Sequence, residues 1–232
     1  MNIAIIPARG GSKRIKKKNI KDFYGKPIIS YSIEIAKKSK VFDKIFVSTD
    51  DKEIADIAKS FGAEVPFLRE KNLSDDFTGT HNVIGSFVQK LIESGSKINH
   101  ACCIYATAPL IQISDLLKGL DLIKENKWDM VFAATSYNYP VSRSFRIKTD
   151  KSLEMLFEDK FNSRSQDLED VYHDAGQFYW SKPEIWMGEN PGYGSSSSVV
   201  LLPNWRVQDI DNLEDWRRAE LIFSTLTDLN NK

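Results

Sequence analysis

The chain has little cysteine, no long apolar run and no net charge, and each absence closes off a class of protein. Its two cysteines, Cys102 and Cys103, are adjacent. Neighbours on a strand point to opposite faces, so the pair is not placed to bridge itself. A disulfide scaffold is excluded, and small buried thiols in a reducing cytoplasm are expected. No stretch approaches the roughly 20 apolar residues that span a bilayer. The first residues offer only the short apolar run Ile3–Ile6 before a polar loop, so no signal peptide is expected. Lys plus Arg and Asp plus Glu each total 32, a balance that argues against a general nucleic-acid binder. No internal repeat or long linker is visible. A soluble, cytoplasmic protein with no nucleic-acid and no membrane partner is expected.

Against this neutral background one segment stands out. The β-branched run Ile3–Ile6 reads as a buried strand, stopped by Pro7. Gly10, Gly11 and Ser12 follow, amid Arg9, Lys13, Arg14, Lys16, Lys17, Lys18 and Lys21. A strand that empties into a loop rich in backbone N–H groups and cations suits a polyphosphate. The loop is neither a P-loop nor a dinucleotide fingerprint, because Gly-Lys-Ser/Thr and Gly-x-Gly-x-x-Gly are both absent.

The first 135 residues alternate between strand and helix signals. Strands are expected at Ile3–Ile6, Lys44–Thr49, Glu64–Phe67, Ala101–Tyr105 and Met130–Thr135. Helices are expected over Pro27–Ser39, from Asp50 or Asp51 to Phe61, from Thr78 or Thr80 to Ser94, and from a Ser114 cap to Lys124. Such alternation predicts an α/β fold, a mostly parallel sheet wrapped by helices, with ligands at the carboxyl ends of the strands. After Thr135 the rhythm breaks, and 136–180 reads as an inserted antiparallel lobe within a single domain spanning 1–232. Strands at Ala175–Trp180 and Val199–Leu202, a short helix at Lys182–Met187 and a closing helix from Asn212 to about Leu226 complete the chain.

Three further patterns carry chemistry. Asp209 and Asp211, two apart, share one face of an extended segment. Such a pair calls for positive charge nearby, and Mg²⁺ takes one or two carboxylates plus phosphate oxygens. Asp211-Asn212 also reads as the cap of the final helix. Arg69 and Asp75 follow the third expected strand. The lobe carries Tyr137–Phe145, Asn162–Leu168 and Tyr172–Trp180, rich in arginine for a carboxylate, Asn, Gln and His for hydroxyl or acetamido groups, and aromatics for a sugar face.

The run Ile5-Ile-Pro-Ala-Arg-Gly-Gly-Ser-Lys-Arg-Ile-x-x-Lys-Asn19 resembles the nucleotide-binding loop of the nonulosonic acid cytidylyltransferases, the family of the CMP-sialic acid synthetases. The likeness extends over essentially the whole chain. Arg143-Ser-Phe145, Ser163–Leu168 and Tyr172-His-Asp-Ala-Gly176 look more like the pseudaminic acid branch than the N-acetylneuraminate branch, and Arg14 and Lys16 depart from the sialic-acid loop pattern. Glu70 stands where many relatives have proline. The resemblance implies a nucleotide-diphospho-sugar transferase-like fold and transfer of CMP from CTP to a nine-carbon 2-keto sugar acid, releasing pyrophosphate. It implies that Arg9, Gly10, Gly11, Ser12, Lys13, Lys21 and Thr80 face CTP, with Asn19 and Arg69 at its cytidine and ribose end. Asp209 and Asp211 would hold Mg²⁺, and Arg9, Lys13 and Asp211 would act in catalysis. Arg143 or Arg164 would meet the sugar carboxylate, and His173 and Gln177 would orient the sugar. It also implies a homodimer formed through the lobe. N-acetylneuraminate, legionaminate or 3-deoxy-octulosonate as acceptor, or a non-catalytic sensor of CTP or a CMP-sugar, are the competing readings.

Overall fold

Four consecutive residues, Ile3 to Ile6, are completely buried because they form an inner strand of the sheet on which the molecule is built. A computed structural model describes residues 1–75, 77–189 and 192–230. Its elements are β1 (Asn2–Pro7), β2 (Asp22–Phe23), β3 (Lys26–Pro27), α1 (Ile28–Ser39), β4 (Lys44–Ser48), α2 (Lys52–Ser60), α3 (Thr80–Glu93), β5 (His100–Ile104), α4 (Ile113–Lys124), β6 (Met130–Ser136), β7 (Phe145–Ile147), β8 (Leu153–Met155), β9 (Tyr172–Ser181), α5 (Pro183–Met187), β10 (Ser197–Leu202) and α6 (Leu213–Asn230). The main sheet has the order β10-β6-β9-β5-β1-β4. Its strands are parallel except β9, which runs antiparallel between β5 and β6.

Alternation of side chains across the sheet builds two cores. Ala4, Ile6, Cys102 and Ile104 face α1, α2 and α4, while Ile3, Ile5, Ala101 and Cys103 face α3 and α5. The adjacent cysteines therefore lie on opposite faces, both free and buried. Gly85 lets α3 meet α5: a Cβ there would stand 2.2 Å from the Trp186 carbonyl oxygen. A third cluster, with Phe23, Ile28, Ile210 and Trp216, fastens α6 over the loop that follows β1. Among the described residues no helix is long and apolar enough to cross a membrane.

Three local expectations are corrected. The strand expected at Glu64–Phe67 is a single bridge of Glu64 to Phe46, because Pro66 has no N–H to continue the ladder. Helix α4 is capped by Gln112 in a reciprocal box with Asp115, not by Ser114, which already lies inside the first turn. The segment that leaves the sheet spans only 137–171, since β9 returns to its centre with Phe178 and Trp180 fully buried.

Candidate active site

The loop after β1 is held from several sides. The Ala8 amide donates to the Ser48 carbonyl (2.9 Å), and the Gly10 amide to Asp50 Oδ1 (3.0 Å). Buried Asn19 donates from Nδ2 to the Arg9 carbonyl (2.9 Å), closing the loop on itself. Gly10 lies so close to the cap of α2 that a Cβ would stand 2.6 Å from Asp51 Oδ2. These contacts fix the cations of the loop around a cavity of about 300 Å³ at the carboxyl ends of β1 and β5.

Arg9, Ser12, Lys13, Asn19, Arg69 and Thr80 all line that cavity. Arg14 and Lys18 line it as well. Gly10 and Gly11 belong to the loop but not to the wall. Lys21 is a correction: its ammonium lies over the Trp216 ring, 5.2 Å from the centroid, and it does not line the cavity. The Arg69 amide donates to the Thr49 carbonyl (2.7 Å), and its guanidinium is tied to Ser48 through Nε to Oγ (3.2 Å) and Nη2 to the carbonyl. Burial, opposed by Asp50, lowers its pKa, though an arginine stays charged in a protein. Arg9 Nη1 donates to the Asp75 carbonyl (2.6 Å). The Asp75 carboxylate accepts from Thr78 and from the Phe77 amide, and these bonds hold its carboxyl below the usual range. Asp75 thus fastens Phe77 and Thr78, and it lines the cavity as well.

The carboxylate pair lies beside this cavity. Asp211 Oδ1 is 2.7 Å from Arg14 Nη2 and 3.6 Å from Lys18 Nζ, two of the lining cations. Lys18 also donates to the Ile210 carbonyl (2.5 Å). Burial first, and the neighbouring Asp211 second, raise the Asp209 carboxyl above its ordinary value. The helix-cap reading belongs to Asn212, whose Oδ1 accepts from the Glu214 and Asp215 amides (2.8 and 3.0 Å). Capping therefore leaves Asp209 and Asp211 unexplained. Two carboxylates at i and i+2 could hold a hard divalent cation, in exchange for the contacts Asp211 makes with Arg14 and Lys18. Among the described residues no third His, Cys, Asp or Glu joins them, so phosphate and water would complete the shell.

A second cavity of about 260 Å³ adjoins the first and shares Thr80 and Tyr105 with it; Tyr179, Trp186, Tyr193 and His81 supply most of its remaining wall. None of the four expected sugar-binding residues lines either cavity. Arg143 donates to the Ser163 carbonyl inside the lobe (2.8 Å), and exposed Arg164 pairs with Asp167 (2.7 Å). His173 packs on the Tyr137 ring, 4.7 Å between centroids. Gln177 is buried beyond a bulge in β9, where Gly176 takes φ +61°, and its Nε2 donates to the Arg206 carbonyl (3.4 Å). Neither Tyr105, at the end of an expected strand, nor Tyr193 carries a local sequence signal for a site. Tyr179 and Asp174 lay within the Tyr172–Trp180 motif, where alternation along the strand could have singled out Tyr179.

Residues 3–193 match the family model for cytidylyltransferases. The chain belongs to the cytidylyltransferase family. The Campylobacter jejuni pseudaminic acid cytidylyltransferase is 43% identical to it over 222 residues, 96% of each chain. The CMP-N,N'-diacetyllegionaminic acid synthase of Legionella pneumophila is 28% identical over 229 residues, 95% of each. Among solved structures, CMP:2-keto-3-deoxy-manno-octonic acid synthetase complexed with CTP superposes with a TM-score of 0.71 over 97% of this chain and 98% of its own, at 13% identity. That likeness establishes the nucleotidyltransferase fold.

For a cytidylyltransferase the arrangement is chemically apt. One cavity gathers Arg9, Lys13, Arg14, Lys18 and Arg69, enough cations to offset a triphosphate. Asp211 is paired with two of those cations, and the second cavity adjoins the first at Thr80 and Tyr105.

Proposed function

We propose that this cytidylyltransferase transfers CMP from CTP to pseudaminic acid, giving the CMP-sugar and pyrophosphate. The observation that carries the substrate assignment is the 43% identity to pseudaminic acid cytidylyltransferases along nearly the whole of both chains. The anomeric hydroxyl attacks the α-phosphorus in line and gives up its proton to solvent, the bond to the β-phosphate oxygen breaks, and pyrophosphate leaves with the added negative charge. Little covalent chemistry falls to the protein, so positioning and charge neutralisation supply the rate.

In this reading Arg9, Ser12 and Lys13 hold the triphosphate. Arg14 and Lys18 stand between it and the acidic pair, and Arg69 and Asn19 shape the nucleoside end of the cavity. Asp209 and Asp211 would hold Mg²⁺, whose chemistry there is to offset phosphate charge and polarise the attacking hydroxyl. The second cavity would receive the sugar. A homodimer, formed through the 137–171 lobe, is part of the same proposal.

Pyrophosphate release with CTP and Mg²⁺, comparing pseudaminic acid with N-acetylneuraminate, tests it. Release with pseudaminate alone is expected. Release only with the neuraminate would keep the reaction and overturn the acceptor. CTP binding without release from either acid would overturn the reaction itself.

A further inference from the structure

A hydrogen-bond chain runs along the wall of the second cavity and ends on Asp174. The Tyr179 hydroxyl lies 2.9 Å from both Asp174 carboxylate oxygens. The Tyr193 hydroxyl is bonded to the same carboxylate, and the Gly176 amide donates to Oδ1 at 2.7 Å. On the other side of Tyr179 stands Tyr105, hydroxyl to hydroxyl, and Tyr105 in turn meets Thr80 Oγ1 at 3.4 Å. Burial keeps the Tyr179 and Tyr193 hydroxyls protonated far above their ordinary range.

A carboxylate accepts hydrogen bonds and has no proton to give. Tyr179 and Tyr193 must therefore donate to Asp174. With its proton so committed, Tyr179 can only accept from Tyr105, and Tyr105 from Thr80. The direction of the whole chain follows from its last member. Each phenol oxygen keeps lone pairs while its proton is spent on the protein. The wall thus offers acceptors, their protons drawn to the carboxylate of Asp174, which is itself exposed and does not line the cavity. Among the described residues no lysine or arginine lines this cavity, whereas at least five cations line its neighbour.

We propose that Asp174 orients the acceptor sugar: through Tyr179 and Tyr193 it gives the second cavity acceptor polarity, so the cavity takes the hydroxyl- and amide-bearing end of the acid and turns its carboxylate away. This rests on the reading above, in which that cavity receives the sugar. In a 2-keto sugar acid the carboxylate and the anomeric hydroxyl are attached to the same carbon. An orientation that sends the carboxylate toward the cationic cavity therefore also sends the attacking oxygen toward the α-phosphorus. Asp174 is a positioning residue, because it acts through the tyrosines.

The test separates acceptor from nucleotide. Asp174→Asn keeps the shape, removes the charge and can return an N–H to the tyrosines. Its expected effect is a rise of about 10-fold or more in the KM for pseudaminic acid, with the KM for CTP within about twofold of wild type. Tyr179→Phe should move the same constant in the same direction. An acceptor analogue with hydroxyls in place of its acetamido groups should lose less against Asp174→Asn than against wild type. An unchanged acceptor KM in both variants overturns the proposal, as does an equal rise in both KM values. If Asp174→Asn does not fold, Tyr179→Phe and Tyr193→Phe decide on the same criteria. Absence of turnover by the wild-type protein would instead refute the proposed reaction.

Discussion

Asp211 carries the sharpest expectation at the scale of a single residue. Its side chain is partly exposed and bonded to Arg14 and Lys18, so removing it leaves no buried group stranded. Asp211→Ala should fold normally, with its thermal midpoint near that of wild type. Its pyrophosphate release at saturating CTP and Mg²⁺ should fall about 100-fold or more, the loss of one preorganised charge being worth about 2.7 kcal/mol. An unchanged rate would remove Asp211 from the site. Gly10 gives a second prediction. Gly10→Ala forces a Cβ against the Asp51 carboxylate and pushes the loop off α2, so CTP affinity measured by calorimetry should drop while α2 remains helical by circular dichroism. Residues of this kind are the most legible ones. Gly, Ser and cations after a buried strand state their chemistry locally, and six of the expected nucleotide-facing side chains line the cavity. Lys21 was misplaced because its partner, Trp216, comes from the far end of the chain, and no local pattern announces that contact.

At the scale of elements, the question is what holds the acidic segment between β10 and α6 in place. Buried Arg206 forks onto Asp115 (2.6 and 3.0 Å) and donates to the Leu110 carbonyl (3.0 Å). The same Asp115 closes the cap of α4. The pair joins the turn that leads to Asp209 to the start of α4, and its two members are almost wholly out of water. Arg206→Met would strand the Asp115 charge and should cost about 3–5 kcal/mol of stability in urea unfolding. Adding Asp115→Leu should restore part of that loss, because the stranded charge is then gone. A cost below 1 kcal/mol would mean that the pair fastens nothing.

At the amino end of the inner strand β5, His100 makes stability depend on pH. Burial first, then Lys124 and Lys182, lowers the pKa of His100. Below about pH 6.5 the unfolded chain takes up a proton that the folded chain resists, so stability falls as pH drops through that value toward the depressed one. His100→Gln should shrink the stability difference between about pH 7.5 and about pH 5.5 in the same urea assay. Periodicity revealed most helices and strands because their apolar spacing is local. It overstated Glu64–Phe67, where a proline ends the pairing, and it could not show that β9 enters the sheet antiparallel, since strand order depends on partners distant in sequence.

At the scale of the whole molecule, the hairpin of β7 and β8 is out of keeping with the rest. Phe145 pairs with Met155 and Ile147 with Leu153, which places four apolar side chains on one face of a two-stranded ribbon. That face is uncovered: Phe145, Ile147 and Leu153 are 50%, 70% and 59% exposed. A lone two-stranded hairpin is marginal in water, and an apolar patch left open marks an interaction surface. Tyr139, Leu156, Phe157 and Phe161 of the same lobe are exposed too. Composition predicted none of this, because a neutral chain with an ordinary apolar fraction gives no sign of where its surplus lies. The inserted lobe was visible as a break in rhythm, but which of its faces stays bare depends on the register of the hairpin. If a second copy covers that face, sedimentation should give a dimer at micromolar concentration, and Ile147→Asp with Leu153→Asp should yield a folded monomer. Arg143 and Arg164 belong to this lobe and line neither cavity within one chain. The monomeric variant therefore separates two roles for the lobe. If pairing serves only stability, CTP-dependent turnover at saturating acceptor should persist in the monomer. If the lobe completes the sugar site of the other copy, the acceptor KM should rise steeply while CTP binding, which depends on the loop after β1, stays as it was.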